Sequence, residues 1–381
     1  MHDQDCGGTT PFCVETTCAI CKTSTNCPAS RPVCDMTSHD CRTCIADNEC
    51  DSSACDLAAG VCVGQGAILY ASPTGSDADP CTRTTPCSLH HAADLVDMAH
   101  SYIVLLQGRY EDHAGFVGKA ATIVGNHATI ASAAGDTSLR IYDGSSITMR
   151  DIQLEEHSQP SDTDFGVIQL RNSRLVLDDM QSDTQHLDPV YGEGGDTLTI
   201  RRSSVIGPSV RATKLVADRC FFHSGGPGVT DSIELTNSVI ISDSSSGDSG
   251  LAIYLNSTVT ASSDSKIFNN TVVAGRVSCS MPGHLAQFTN NIFYNHTSID
   301  VSNNCAYQYN LVTPNMNLGG NGNTTGDPMF VDIAHDNFHL KAGSVAIDAA
   351  DPSIMSIDRD YDGTHRPQGT RSDIGAFEYV P

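Results

Sequence analysis

The sequence predicts an all-β solenoid that carries a short N-terminal capping helix and follows a small disulfide-rich region. Three observations predict it: strand-like segments recur along most of the chain, one short segment has a helical period, and the cysteines concentrate near the N-terminus. Repeated units that bury a face only against their neighbours are typical of solenoids. We expect cysteine-rich repeats at 1–66, the stacked coil with its cap at 67–326, and a closing segment at 327–381.

The first region is defined by its cysteines, because eleven of the sixteen lie before residue 63. A four-cysteine pattern recurs with a period of 23 residues, counted from Cys21 to Cys44, and a truncated copy precedes it. Units this small cannot bury a core, which predicts two disulfides in each complete unit. Zinc is the competing interpretation of the Cys-x-x-Cys spacings. The cysteines of the complete units are Cys21, Cys27, Cys34, Cys41, Cys44, Cys50, Cys55 and Cys62.

Composition narrows the compartment and the partners. So many cysteines predict an extracellular or cell-surface protein, because the cytosol keeps thiols reduced. The formal net charge of -24, without a basic stripe, argues against nucleic acid and favours cations as partners. No apolar run reaches the roughly 20 residues that a membrane span requires.

The capping helix is predicted from the segment SLHHAADLVDMA. Its apolar residues Leu89, Ala92, Ala93 and Val96 fall at i, i+3, i+4 and i+7, which gives one apolar helical face. Such a helix can cover the open end of a coil, where an exposed strand edge would invite aggregation. In the loop before it, Cys81 and Cys87 are close enough in sequence to form a disulfide.

The coil is predicted from short segments that alternate apolar and polar residues around a polar corner, such as LTIRRSSVI, IELTNSVII and FTNNIFY. Asparagine suits such corners because it tolerates the left-handed region. We expect four corner asparagines to stack as an amide ladder. Cys279 and Cys305 lie about one turn apart, so a disulfide between adjacent coils is expected, whereas Cys220 is expected as a buried thiol. The four asparagines are Asn237, Asn270, Asn291 and Asn310.

From about residue 67 onward the chain resembles the right-handed parallel β-helix of the pectate-lyase-like superfamily. The segment ILYASPTGSDADPCTRTTPC, the predicted helix and YIVLLQGRYED resemble the start of such secreted bacterial proteins. The closing segment, GDPMFVDIAHDNFHLKAGSVAIDAAD with DRDYDGTHRPQGTRSDIGAFEY, resembles that of bacterial β-helix repeat proteins. This resemblance implies a fold and a secreted setting. It implies no particular activity, because the fold hosts many.

A metal site is predicted at DRDYDG, residues 358–363. Asp358, Asp360 and Asp362 alternate and are closed by a glycine, which is typical of an oxygen-rich calcium loop. The twelfth position of a complete loop would be Gly369, so a further ligand is sought in Asp373 or Glu378. We expect a structural calcium ion here; the alternative is a solvated acidic turn.

Two functional hypotheses follow, since no catalytic motif is evident. The first is a secreted or surface protein with a structural, adhesive or assembly role, whose partners are extracellular polysaccharide, other surface subunits or further copies of itself. The second is a polysaccharide lyase acting on acidic glycans, with Arg211 or Lys214 as base, His223 nearby and calcium holding the uronate. A groove that gathers these residues with two or more aspartates favours the lyase. A row of surface tyrosines without a base favours a non-catalytic carbohydrate-binding protein.

Overall fold

The structure is a computed structural model that describes residues 2–132, 137–156, 166–242, 251–256, 264–280, 283–296, 298–354 and 357–381. Two compact units are present. The first comprises Met1–Gln107 and Ala120–Asn126, and the second comprises Gly108–Lys119 and His127–Pro381. Each unit is described by itself below.

The first unit begins with a series of small disulfide-bonded hairpins. In each complete repeat the first cysteine is joined to the third and the second to the fourth, and Cys6–Cys18 continues the second-to-fourth pattern. The disulfides of the complete repeats are Cys21–Cys34, Cys27–Cys41, Cys44–Cys55 and Cys50–Cys62. The 3-10 turns are Asp3–Asp5, Ser24–Asn26, Asp47–Glu49 and Gln65–Ala67, and the paired strands are Phe12–Val14 with Thr17–Ala19, Val33–Cys34 with Cys41–Arg42, and Cys55–Asp56 with Val61–Cys62.

Polar side chains hold the same position in successive hairpins. Asp3, Ser24 and Asp47 each accept a hydrogen bond from the backbone amide of the third cysteine of their repeat. These bonds close the loop between the 3-10 turn and the strand, and they add to the small buried clusters around the disulfides. Two of the acidic residues in this region, Asp3 and Asp47, therefore stabilise the hairpins.

The remainder of the first unit contains the predicted helix, which spans Leu89–Leu95. Ser88 caps it by accepting the amide of His91, and the four predicted apolar positions are all buried. The helix packs against two parallel strands, Ile68–Ala71 and Tyr102–Leu105, and the second of these pairs with residues 120–126 of strand Ala120–Ala131. Cys81 and Cys87 form a disulfide in the preceding loop.

The second unit is a parallel β-helix whose coils contribute short strands to three stacks, named sheets A, B and C. Sheet A contains Ala114–Val117, Leu139–Tyr142, Gly166–Arg171, Asp188–Gly192, the first parts of Val210–Asp218 and Pro227–Thr236, Leu251–Asn256, Arg276–Ser280 and Ser298–Ile299. Sheet B contains the first part of Ser146–Glu155, Arg174–Asp178, Thr197–Arg201, the second parts of Val210–Asp218 and Pro227–Thr236, Ser265–Phe268, Ala286–Thr289 and Cys305–Gln308. Sheet C contains Arg109–Tyr110, the end of Ala120–Ala131, the end of Ser146–Glu155, Gln181–Asp183, Ser204–Gly207, Phe221–Ser224, Val239–Ile241, Thr271–Val273, Ile292–Tyr294, Leu311–Thr313 and Thr324–Thr325.

The core of the β-helix consists of aligned apolar side chains. Because successive residues of a strand face opposite sides, the parallel register places one inward residue of each coil above that of the next. At the lower end of one such column the rings of Phe288 and Tyr307 stack with centroids 4.9 Å apart. The column in sheet B is Met149, Leu177, Ile200, Ala217, Leu235, Ile267, Phe288 and Tyr307, and all are buried.

The corner between sheets B and C carries an asparagine ladder, with one correction to the predicted register. Asn270, Asn291 and Asn310 bond side chain to side chain at 3.0 Å, and Asn323 continues the series. Asn237 is not a member: it lies in the left-handed region at φ 48°, and the adjacent Ser238 takes the ladder position, where its amide donates to Asn270. The corner needs a left-handed residue followed by a ladder residue, and asparagine suits both positions.

A C-terminal strap, residues 327–354 and 357–381, covers the outer face of sheet C. It begins with the antiparallel strands Phe330–Asp332 and Asn337–Leu340, joined by the 3-10 turn Ile333–His335. On earlier coils the outward column of this sheet is polar, with Gln153, Gln181 and Ser204. From Phe221 onward it is mainly apolar, interrupted by Thr271, whose hydroxyl accepts the Ala376 amide of the strap. The apolar cluster joins Val239, Val273, Ile292 and Leu311 of the sheet to Phe330, Phe338, Leu340, Ala346, Ile374 and Phe377 of the strap.

Candidate functional site

The outward face of sheet A carries a column of polar and aromatic side chains, which we name the outer column. The inward neighbours of these residues are buried aliphatics such as Val190, Val210 and Ile253, so alternation turns the column outward. Successive members lie on neighbouring strands, about 4.8 Å apart. The outer column is Arg140, Gln169, Tyr191, Arg211, Gly228, Tyr254 and Ser278.

A cleft of about 530 Å³ opens in this column, between Tyr191 and Tyr254. We name it the sheet A cleft. Arg211 and Arg276 also line it, so two aromatic rings and two guanidinium groups face one space. Its other lining residues are Gly192, Pro208, Ser209, Ala212, Ser224, Gly225, Gly226, Gly228, Val229 and Thr230.

Arg211 is held in place from below. Its Nε lies 2.8 Å from the Asp188 carboxylate and 3.2 Å from the Ser209 hydroxyl, which itself donates to Asp188 across 2.8 Å. Asp188 is buried, so its carboxylate is a fixed anchor for the exposed guanidinium of Arg211. The guanidinium carbon lies 6.0 Å from the centre of the Tyr191 ring. The arginine therefore reaches the cleft with much of its side-chain freedom already lost.

A second aromatic and cationic contact lies beside the upper part of the column. The guanidinium of Arg171 sits 4.3 Å from the centre of the Tyr142 ring, and the Tyr142 hydroxyl bonds to Gln169. Gln169 in turn donates to Glu193 across 2.5 Å. Burial raises the pKa of Tyr142, with the Glu193 charge adding to the effect. The tyrosine is therefore a neutral hydroxyl at physiological pH.

Two glycines form the floor of the sheet A cleft. A Cβ on Gly225 would lie 1.4 Å from the carbonyl oxygen of Pro208, and one on Gly226 would lie 1.8 Å from that of Ala252. Both distances are far below contact, so neighbouring coils approach closely here only because these residues lack side chains. The short sequence SGGPG is the signal for this approach.

The three candidate lyase residues are not gathered in one place. Arg211 lines the sheet A cleft, whereas Lys214 follows a register shift into sheet B and pairs with Asp231 at 3.3 Å. His223 lies on sheet C, where its ring packs beside Phe221 with centroids 6.0 Å apart. These three residues therefore do not share one site, and a joint catalytic role for them stays a prediction.

The aspartates of the predicted calcium loop are directed to different partners. Asp360 is buried and accepts the amides of Thr364 and Glu378. Asp362 is exposed and contacts the His339 ring at 2.6 Å, while Asp358 is exposed and its carbonyl accepts the Arg366 amide. Backbone amides thus satisfy the buried carboxylate, and calcium at this loop stays a prediction.

Asp373, the fourth predicted ligand, is also bound by amides. Its two oxygens accept the amides of Asp348 at 2.8 Å and Tyr379 at 2.6 Å. Amide donors favour the charged carboxylate, but burial outweighs them and raises the pKa of Asp373 to about 6. Asp373 is therefore a strap residue whose charge depends on pH near neutrality.

Groups of side chains that could share a metal ion occur elsewhere in the described ranges. Each of the three groups contains cysteines that are joined in disulfides, so these sulfurs are not available as thiolate ligands. One of them includes Asp300 beside the disulfide Cys279–Cys305, which joins adjacent coils. Cys220 is a buried thiol whose pKa is raised to about 12 by burial, so it too is unsuited to binding a metal.

Comparison with known proteins supports the fold. No family model matches the chain, and no curated protein matches its sequence. The crystal structure of pectate lyase Pel9A is similar to this chain, with a TM-score of 0.54 and 14% sequence identity over 84% of this chain and 98% of that one. At this identity the likeness shows the fold alone, an all-β parallel β-helix.

Two further findings concern the setting. The seven disulfides fit an extracellular protein. Across the ranges that the structure describes, no helix has the length and apolar character to cross a membrane.

The sequence interpretation missed Tyr191, Tyr254, Arg276 and Gly228. Their shared feature is the register of sheet A, in which Gly228 aligns with Arg211 and then with Tyr254. Coils of unequal length hide this alignment in the sequence. Exposed tyrosine and arginine on strands that otherwise alternate with buried aliphatics were the available signal.

Proposed function

We propose that this protein is an adhesive β-helix protein of the extracellular space, which binds a polysaccharide along the outer column of sheet A without cleaving it. The observation that carries the proposal is the convergence of Tyr191, Tyr254, Arg211 and Arg276 on one cleft. Tyrosine offers a flat apolar face and a polar tip, which suits a sugar ring, and arginine offers forked donors for an anionic or hydroxyl group.

The stacked architecture supports an extended ligand. Neighbouring strands repeat about every 4.8 Å, so the outer column presents a regular series of contacts along the coil axis. A polymer with its own repeat gains from many weak contacts in a row. An isolated small molecule would use one rung and leave the others unexplained.

The charge distribution limits the class of glycan. The chain carries a net charge of -24, which repels a polyanion from most of the surface. Arginines concentrate on and beside the outer column, at Arg140, Arg211, Arg171 and Arg276. Arg211 is paired with Asp188, and Arg171 with Asp143 and Glu193, which offsets part of this positive charge. Sheet A is therefore the face at which an acidic glycan would be accepted.

Lyase activity is the second candidate, supported by Arg211 in the cleft of a pectate-lyase-like fold. It would require a base positioned against a sugar proton. Arg211 lies in the sheet A cleft but is paired there with the buried Asp188 carboxylate. Lys214 and His223 lie outside the cleft, and this arrangement favours binding over cleavage.

The test is a binding titration of neutral and acidic polysaccharides with the wild-type protein and with Tyr191→Ala, Tyr254→Ala and Arg211→Ala. Lys214→Ala is the matched control, because this exposed cation lies outside the cleft. We expect the cleft variants to weaken binding at least about tenfold and the control to change it less than about twofold. Binding that is absent, or unaffected by the three variants, would overturn the proposal. The ultraviolet absorbance of unsaturated products in the same samples, if lost in Arg211→Ala, would establish the lyase instead.

A further inference from the structure

Gly228 interrupts the outer column between Arg211 and Tyr254. All the other residues of the column from Arg140 to Ser278 have a side chain. Gly228 lies between Arg211 on one strand and Tyr254 on the next. The two flanking strands are therefore about 9.6 Å apart, two strand spacings, and the strand between them has no side chain at this position. We name this the Gly228 gap.

The backbone does not require glycine at this position. A Cβ on Gly228 would have its nearest atoms, Tyr254 Cδ1 and the Val210 carbonyl oxygen, at 3.8 Å, which is ordinary contact. Gly228 also does not have a positive φ, unlike Gly118 and Gly144. Gly225 and Gly226 are explained by close packing, whereas Gly228 is not. Gly228 lines the sheet A cleft, and the cleft is deeper there because this residue has no side chain.

The chemistry around the gap defines what fits it. Ala212 and Val229, buried at 4% and 2% exposure, lie under the cleft, and Arg211 and Arg276 supply cations at its sides. A sugar backbone resting on the Tyr191 and Tyr254 rings would pass over the gap. A group that branches from that backbone would enter it and meet the guanidinium groups.

We propose that the Gly228 gap receives an anionic side group of the bound glycan, a carboxylate or a sulfate, so that the protein selects a substituted chain over a bare one. This inference rests on the proposed function, because it assigns specificity to the same cleft. Gly228 is then a specificity-determining position that acts through the space it leaves.

The experiment compares matched pairs of polysaccharides by calorimetric titration. One pair is glucuronic-acid-branched xylan and unbranched xylan; the other is a sulfated galactan and its desulfated form. The variants are Gly228→Gln, which fills the gap, and Gly228→Ala, which fits sterically and fills it in part. Ser278→Gln is the control, since it adds the same side chain to the column outside the lining of the cleft.

We expect the wild-type protein to prefer one substituted chain by at least about tenfold. Gly228→Gln should remove that preference, Gly228→Ala should reduce it in part, and Ser278→Gln should leave it unchanged. The pair that shows the preference identifies the carboxylate or the sulfate. A preference that survives Gly228→Gln, or equal affinity of the wild type for both members of both pairs, overturns this inference and leaves the proposed function standing. A wild type that binds none of the four overturns the proposed function as well.

Discussion

The guanidinium of Arg366 donates to the carboxylate of Glu378 across 2.7 Å, and the two side chains are 1% and 0% exposed. Arg366 also donates to the carbonyls of Asp373 and Gly375, and Glu378 accepts the amide of Asp373. One buried ion pair thus closes the DIGAFEY segment of the strap into a loop.

Breaking this pair should destabilise the protein strongly. Glu378→Gln leaves the Arg366 charge buried without its counter-charge, and we expect a loss of about 3–5 kcal/mol in the free energy of unfolding, measured by urea titration. Glu111→Gln is the control, because Glu111 forms an exposed pair with Arg109 and should change stability by less than about 0.5 kcal/mol. Losses of similar size in both variants would show that the buried pair does not hold the strap.

The raised pKa of Asp373 predicts that stability depends on pH. The folded-state pKa of about 6 exceeds the ordinary aspartate pKa of 3.8, so the folded protein binds this proton more tightly than the unfolded chain does. The contribution is therefore greatest at low pH and is lost as pH rises from about 4 through 6, by roughly 3 kcal/mol. We would measure the free energy of unfolding by urea titration at pH 4.5 and pH 7.5 in the wild type and in Asp373→Asn. The variant should lack the loss of stability that the wild-type Asp373 contributes between these two pH values. An unchanged pH dependence in the variant would contradict the assignment.

The asparagine ladder predicts a contrast between two corner positions. Asn291→Ala removes donors to the Ile267 carbonyl and to Asn310 and an acceptor for Asn270, all in the buried interior. We expect a loss of about 2–4 kcal/mol by thermal or urea unfolding, because buried partners are left unsatisfied. Asn237→Gly keeps the left-handed backbone and should cost less. The reverse order would contradict the revised register.

Calcium remains to be tested at the DRDYDG loop. If an ion binds there, calcium at a hundredfold excess over its Kd should add about 2.7 kcal/mol to the stability, and a chelator should remove it. Asp358→Asn combined with Asp362→Asn, two exposed carboxylates, should abolish the calcium response. A melting temperature that calcium and chelator leave unchanged would show that the amide bonds to Asp360 suffice.

Short-range features of the fold were predictable from sequence, and long-range ones were not. The helical spacing of Leu89, Ala92 and Ala93 fixes both the helix and its buried face, because periodicity is local. The ladder was predicted one residue out of register at Asn237, since adjacent corner positions accept the same amino acid.

The path of the strap could not be predicted from the sequence for a different reason. Its contacts join residues more than a hundred positions apart, such as Asn269 with Asp373 and Thr271 with Ala376. No local pattern specifies which sheet a distant segment will cover. The sheet A cleft is equally non-local, because it depends on how coils of unequal length align Arg211 with Tyr254 through Gly228.

The position of the strap also constrains the order of assembly. Ribosomes make the coils of sheet C before the segment that covers them, so Phe221, Val239 and Ile292 stay uncovered on a nascent coil until Phe338 and Phe377 arrive. Prematurely terminated chains would therefore display a largely apolar stripe, the kind of surface that chaperones bind and that drives aggregation. The strap thus makes completion of synthesis a condition for a soluble product.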